Sequence, residues 1–167
     1  MNRTSQEDGE SEGKPISNSR KVFIVHGHDD AAKEKVARFL TQLELEPIIL
    51  HEQVSRNRTI IEKFEANSRE VGFAVVLLTP DDEGCERGGA HRPRARQNVV
   101  FELGYFVGRL GRERVCALMR GEVEVPSDLH GVVYVPFDEA SGWKQVLGRE
   151  LEAAGFSVDW NRVMGAR

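Results

Sequence analysis

Phe73-Ala-Val-Val-Leu-Leu78 is the most continuously apolar run in the chain. A strand with one face in water alternates apolar and polar residues. A run with no polar break reads instead as a strand covered on both faces, at the centre of a parallel sheet. It ends at Thr79-Pro80. Working outward, similar short apolar runs recur: Val22-Phe-Ile-Val25 and Ile48-Ile-Leu50 upstream, Val115-Cys-Ala-Leu-Met119 and Val132-Val-Tyr-Val135 downstream. Between them lie stretches with helical spacing. These are Val36, Phe39, Leu40 and Leu43; Ile60, Ile61 and Phe64 behind a Thr59/Glu62 capping box; Val99, Leu103, Phe106, Val107 and Leu110; and Trp143, Val146, Leu147, Leu151 and Ala154. Pro47 breaks the first helical pattern, and Gly111 and Gly155 stop the later two. Five strands alternating with helices predict an α/β three-layer sandwich. Its five-stranded parallel sheet should have right-handed crossovers and the flavodoxin-like order 2-1-3-4-5.

The chain has 167 residues, enough for one domain with a sizeable core. Residues 1–19 are polar and rich in Gly, Ser and Glu, so they read as a disordered tail or linker. The domain is expected over 20–158, with a loose tail over 159–167. A net charge of -4 argues against a chain built to hold nucleic acid. There is no run of about 20 apolar residues to cross a membrane, and no secretory signal core at the N-terminus. Cys85, in a polar loop, and Cys116, in an apolar run, show no metal spacing. A cytoplasmic protein is expected, with neither nucleic acid nor membrane as partner.

In this fold, ligands bind beyond the carboxyl ends of the strands, where the order reverses between the first and third. The loops there are His26-Gly-His-Asp-Asp30 and residues 80–97. The second is longer than the usual connection of about 2–6 residues, the mark of a functional or disordered loop. It begins acidic with Asp81, Asp82 and Glu83, ends basic with Arg92, Arg94 and Arg96, and leads into the helix carrying Glu102. Asn98 is the expected N-cap, which puts Glu102 in the first turn, at the edge of the apolar stripe. The positive end of the helix dipole should keep it ionised there. Such a carboxylate either complements the dipole or serves a site. His26 and His28 lack a third ligand with metal spacing. Gly27 belongs to a tight turn rather than a GxGxxG fingerprint. The arginines either clamp a pyrophosphate or form a solvated basic face. Gly104 and Gly108 cost the helix about 1 kcal/mol each relative to Ala, which close packing on another helix or a contact between subunits would explain.

Lys21-Val-Phe-Ile-Val-His-Gly-His-Asp29, His51-Glu-Gln53, Arg58-Thr-Ile-Ile-Glu-Lys-Phe-Glu65, Gly72-Phe-Ala-Val-Val-Leu-Leu-Thr-Pro-Asp-Asp82, Arg94-Ala-Arg-Gln-Asn-Val-Val-Phe-Glu-Leu-Gly104 and Pro126-Ser-Asp128 follow in order. Together they resemble the bacterial TIR-like predicted nucleotide-binding family, which includes TIR domains fused to bacterial STING receptors in antiphage defence. The resemblance implies a TIR fold and cleavage of NAD to nicotinamide and ADP-ribose. It carries the catalytic glutamate onto Glu102. Around the dinucleotide it implies His26, Gly27, His28 and Asp29, with Arg56 and Arg58 from the loop after the second strand. Arg94, Arg96 and Asn98 join them from the stretch before Glu102. The 51–58 loop departs from the family, with Val54 and Asn57 where Pro and Gly are expected. NAD enters as substrate, with no resident cofactor or metal. The expected partners are further copies through TIR–TIR contacts, and a sensor domain or protein absent from this chain. Assembly into oligomers is expected to gate the activity. Other classes fit the same residues: a non-catalytic TIR–TIR interaction module, a nucleoside deoxyribosyltransferase-like enzyme, and a nucleotide-binding sensor that leaves its ligand intact.

Overall fold

The computed structural model describes residues 19–49, 65–66, 71–126, 129 and 131–165. Strands β1 (Lys21–Val25), β2 (Glu46–Ile49), β3 (Phe73–Leu78), β6 (Val115–Met119) and β7 (Val133–Pro136) form one parallel sheet. Their order is β2-β1-β3-β6-β7, the flavodoxin-like order expected from the alternating pattern. Every residue of β3 is buried, as its unbroken apolar run requires. It pairs with β1 in the register Val25↔Val76 and with β6 in the register Leu78↔Met119.

Strand pleating sends alternate side chains to opposite faces, and each face has its own core. Val22 and Ile24 of β1 with Phe73, Val75 and Leu77 of β3 meet helices α1 (Asp30–Gln42) and α3 (Trp143–Ala153). Phe23, Val25, Ala74, Val76 and Leu78 meet helix α2 (Gln97–Leu110) on the other face, where Phe23 and Phe106 lie 4.8 Å apart between ring centroids. Gly111 ends α2 at φ 86°, a conformation glycine adopts without strain. Among the described residues no helix is long and apolar enough to cross a membrane.

Away from the site, the structure departs from expectation in four places. β2 begins at Glu46 and includes Pro47, which an edge strand tolerates because it has an unpaired side. The loop over 80–97 contains an antiparallel hairpin, β4 (Asp82–Gly84) and β5 (Arg92–Arg94), with Asp82 opposite Arg94. The expected loose tail over 159–167 instead forms the one-turn helix α4 (Trp160–Val163). Asp159 caps it, Val163 is buried, and Arg162 binds the Gln42 carbonyl at 2.9 Å. Finally, among the described residues nothing lies within 4 Å of a Cβ built on Gly104 or Gly108, so no described helix packs closely there. Alanine at either position should therefore stabilise the monomer by about 0.5–1 kcal/mol, read from urea unfolding midpoints. Residues 1–18, the Thr59/Glu62 capping box and the loop 51–58 lie outside the described residues; Glu65 and Ala66 are helical.

Candidate active site

The turn after β1 is held from three sides. His26 Nδ1 donates to the Gly27 carbonyl at 2.8 Å. The Asp81 carboxylate accepts from the backbone N–H of His28 at 3.1 Å and from the Thr79 hydroxyl at 2.7 Å. Asp29 caps α1 by accepting from the Ala32 N–H at 2.9 Å, and its other oxygen binds the Arg120 guanidinium. Arg120 follows β6, donates its backbone N–H to Leu78 at the end of β3, and lies 5.5 Å from the Phe137 ring centroid. It therefore spans from β6, past β3, to the start of α1. Glu139 stands 3.7 Å from Arg120 and 3.0 Å from Lys35, whose hydrogen bond and charge lower its pKa.

On the other side of the switch point, Arg96 occupies the N-cap of α2. Its side chain makes no capping bond; its guanidinium reaches the His28 imidazole, whose Nε2 accepts. The cap is thus Arg96, not Asn98, because the helix begins at Gln97 and Asn98 already lies exposed in its first turn. Glu102 consequently belongs to the second turn, about 9 Å along the axis from the cap at about 1.5 Å per residue. It shares the buried face with Val99, Leu103 and Phe106, and is 9% exposed.

That placement overturns the expectation of a dipole-stabilised anion. The dipole effect fades within the first turn, whereas burial penalises charge wherever it occurs. Burial raises the Glu102 pKa from 4.5 to about 7. Among the described residues no hydrogen bond or ion pair offsets this.

The expected ligand residues divide accordingly. His28 and Arg96 meet. Asp29 has one oxygen on the α1 cap and the other on Arg120, which fixes it at the start of α1. Arg94 folds back over Gly84 in the hairpin, leaving no room for a side chain there, and its Nε is buried with no hydrogen-bond partner among the described residues. Arg56 and Arg58 lie outside the described residues. Among those described, no group of three or more His, Cys, Asp or Glu side chains is placed to hold a metal. Arg120 was not singled out from sequence, and Asp81 was noted only as one of the acids that open the 80–97 loop. Their position just past the end of a strand (Arg120 one residue beyond Met119, Asp81 three beyond Leu78), at the carboxyl edge of the sheet, was the available signal.

With this geometry in view, residues 21–139 match the model of the CAP12/Pycsar effector protein TIR domain. The chain belongs to that family. The family is the effector TIR type in general, broader than the STING-fused set to which the motifs pointed. The chain is 54% identical over 154 residues to an uncharacterized protein, YuaY, of Escherichia coli K12, covering 92% of this chain and 51% of that one. It is 37% identical to protein tirC of Dictyostelium discoideum, covering 71% of this chain and 65% of tirC. It is 43% identical over 79 residues to the Pycsar effector protein BcPycTIR of Burkholderia cepacia, 46% of this chain and 26% of that effector. This TIR chain therefore spans about half to two thirds of the first two relatives, and about a quarter of the third.

Proposed function

We propose that this TIR domain is the NAD-cleaving unit of an antiphage or cell-death effector, with Glu102 as its catalytic carboxylate. The observation that carries the reading is a buried carboxyl, raised to about pKa 7, with no structural partner among the described residues. A fold keeps such a group at a cost in stability, and groups of this kind concentrate in active sites. Membership of an effector family and the resemblance of the Arg94–Gly104 stretch to active TIR enzymes support the same assignment.

Water and NAD give ADP-ribose, nicotinamide and a proton. The bond between the ribose anomeric carbon and the pyridinium nitrogen breaks, and its electron pair leaves with nicotinamide. The leaving group is then neutral and needs no acid. Positive charge builds on the ribose, as in glycoside cleavage, and an ionised Glu102 stabilises or traps it. Water supplies the hydroxyl that completes ADP-ribose. The pyridinium itself brings positive charge to the site, which favours the ionised carboxylate as substrate binds. Arg96 and His28 serve the pyrophosphate, the guanidinium being suited to paired hydrogen bonds with phosphate oxygens.

The test is incubation of concentrated protein with NAD, with and without a crowding agent, and chromatography of the products beside a Glu102→Gln variant. Nicotinamide from the parent alone supports the reading; equal release by both ends it. Arg96→Ala should raise KM for NAD about 10–100-fold, the worth of a hydrogen bond to a charged group. Stability should change little, since Arg96 makes no capping bond.

A second reading has an observation of its own. Phe101 is 62% exposed on α2, and Gly104 and Gly108, three and seven residues on, leave the same side of the helix open among the described residues. This surface suits a TIR–TIR contact, either gating the enzyme or acting alone in an interaction module. In the second case Glu102→Gln would leave function intact, and Phe101→Ser would abolish self-association in sedimentation.

A further inference from the structure

We infer that Asp81 is a positioning residue for this site, acting through its role as a neutral-equivalent hydrogen-bond acceptor rather than through its charge. The inference rests on the proposed NAD-cleaving reading for its functional consequence, but its structural basis is independent of it.

One oxygen, Asp81 Oδ2, accepts both the Thr79 hydroxyl and the His28 backbone N–H. Thr79 is 2% exposed, so its hydroxyl is a buried, fixed donor at the end of β3. Asp81 thereby joins the loop after β3 to the turn after β1, across the point where the strand order reverses. The bond falls on the backbone of His28, whose imidazole meets Arg96. Moving the turn would move the imidazole away from the N-terminus of α2.

Gly27 supports the same assignment. A Cβ built there would overlap Asp81 Oδ2, and the Thr79 hydroxyl oxygen lies 3.4 Å from it. The absence of a side chain at Gly27 is therefore what allows the carboxylate to reach both donors. Alanine at 27 would displace that oxygen and break both bonds together. Gly27→Ala and Asp81→Ala should then be the same lesion reached from two sides. The other oxygen, Oδ1, makes no hydrogen bond among the described residues. Asparagine, with its carbonyl in the Oδ2 place and its amide in the Oδ1 place, should satisfy both donors.

The experiment uses the full chain labelled with ¹⁵N, and NAD as substrate. Asp81→Ala, Gly27→Ala and the double variant should shift the His28 amide resonance alike, and Asp81→Asn should leave it near the parent position. KM for NAD should rise up to roughly tenfold in Asp81→Ala, with kcat within about twofold, as expected for a lost ordinary hydrogen bond that positions the turn. The double variant should be no worse than either single one, and Asp81→Asn should restore KM. An unmoved His28 amide in Asp81→Ala, multiplying effects in the double variant, or Asp81→Asn as damaging as Asp81→Ala would each overturn the inference. Should Gly27→Ala fail to fold, the two Asp81 variants decide the matter alone. A parent that releases no nicotinamide refutes the NAD reading, while the His28 amide still reads the positioning.

Discussion

Glu102→Gln should abolish nicotinamide release and at the same time make the protein harder to unfold at pH 8. Loss of a group that stabilises transition-state charge or traps the intermediate costs at least about 10³-fold in turnover. The stability change has the opposite sign because burial works against this carboxylate. Its folded pKa, about 7, lies above the ordinary 4.5. At about 1.4 kcal/mol per pKa unit, ionising it at pH 8 costs the fold on the order of 3 kcal/mol. Glutamine has nearly the same shape and no charge, so it should recover about 1–3 kcal/mol at pH 8 and almost nothing near pH 4. Denaturant midpoints for the two proteins at both pH values check this, and product chromatography checks the loss of turnover. A variant that is both inactive and less stable would point to a structural carboxylate with an unseen partner. Equal turnover would remove Glu102 from the chemistry.

Turnover and stability should also move in opposite directions with pH. If the ionised form works, kcat/KM approaches a tenfold fall per pH unit below about 7, and so drops about 50-fold between pH 7 and pH 5. The limb in kcat should lie at lower pH, since the substrate's pyridinium favours the anion once bound. For stability the sign is set by proton uptake. A raised carboxyl binds more protons in the folded state than in the unfolded one between about 4.5 and 7. Its contribution is present below that window, declines as pH rises through it, and is constant above. Glu139, lowered by Lys35, contributes with the opposite sign, being lost as pH falls. The quantity to plot is therefore the difference between parent and Glu102→Gln, in which the other groups cancel. A flat difference across pH 4.5–7 would sink the assignment of the raised pKa to Glu102.

Much of this was legible because apolar runs report burial directly. The run Phe73–Leu78 fixed the sheet's centre, and the spacing of Val99, Leu103 and Phe106 located the helix that carries Glu102. What escaped was written in polar residues. The hairpin strands Asp82–Gly84 and Arg92–Arg94 contain only charged residues, a glycine and a proline, which have low strand propensity. Their pairing sets Asp82 opposite Arg94, a tertiary fact invisible in a window of three residues. A small error of boundary had the largest chemical consequence. Placing the cap at Asn98 instead of Arg96 moved Glu102 by two residues toward the dipole, and so reversed its expected ionisation. Asp159 before Trp160 and Val163 was a readable start signal for α4, but one turn is too short for periodicity to register.

The hairpin and β6 also give the protein a built-in reporter site. Cys85 is exposed at the edge of β4, whereas Cys116 is buried and its thiol is pushed up to about 12, chiefly by burial. These are the two cysteines of the chain. Thiol reagents react with the thiolate, so in the native state a maleimide dye has one accessible target. The parent protein can thus be tagged at a single position without mutation. That position lies in the segment leading from β3 to α2, so emission would follow the conformation of the hairpin.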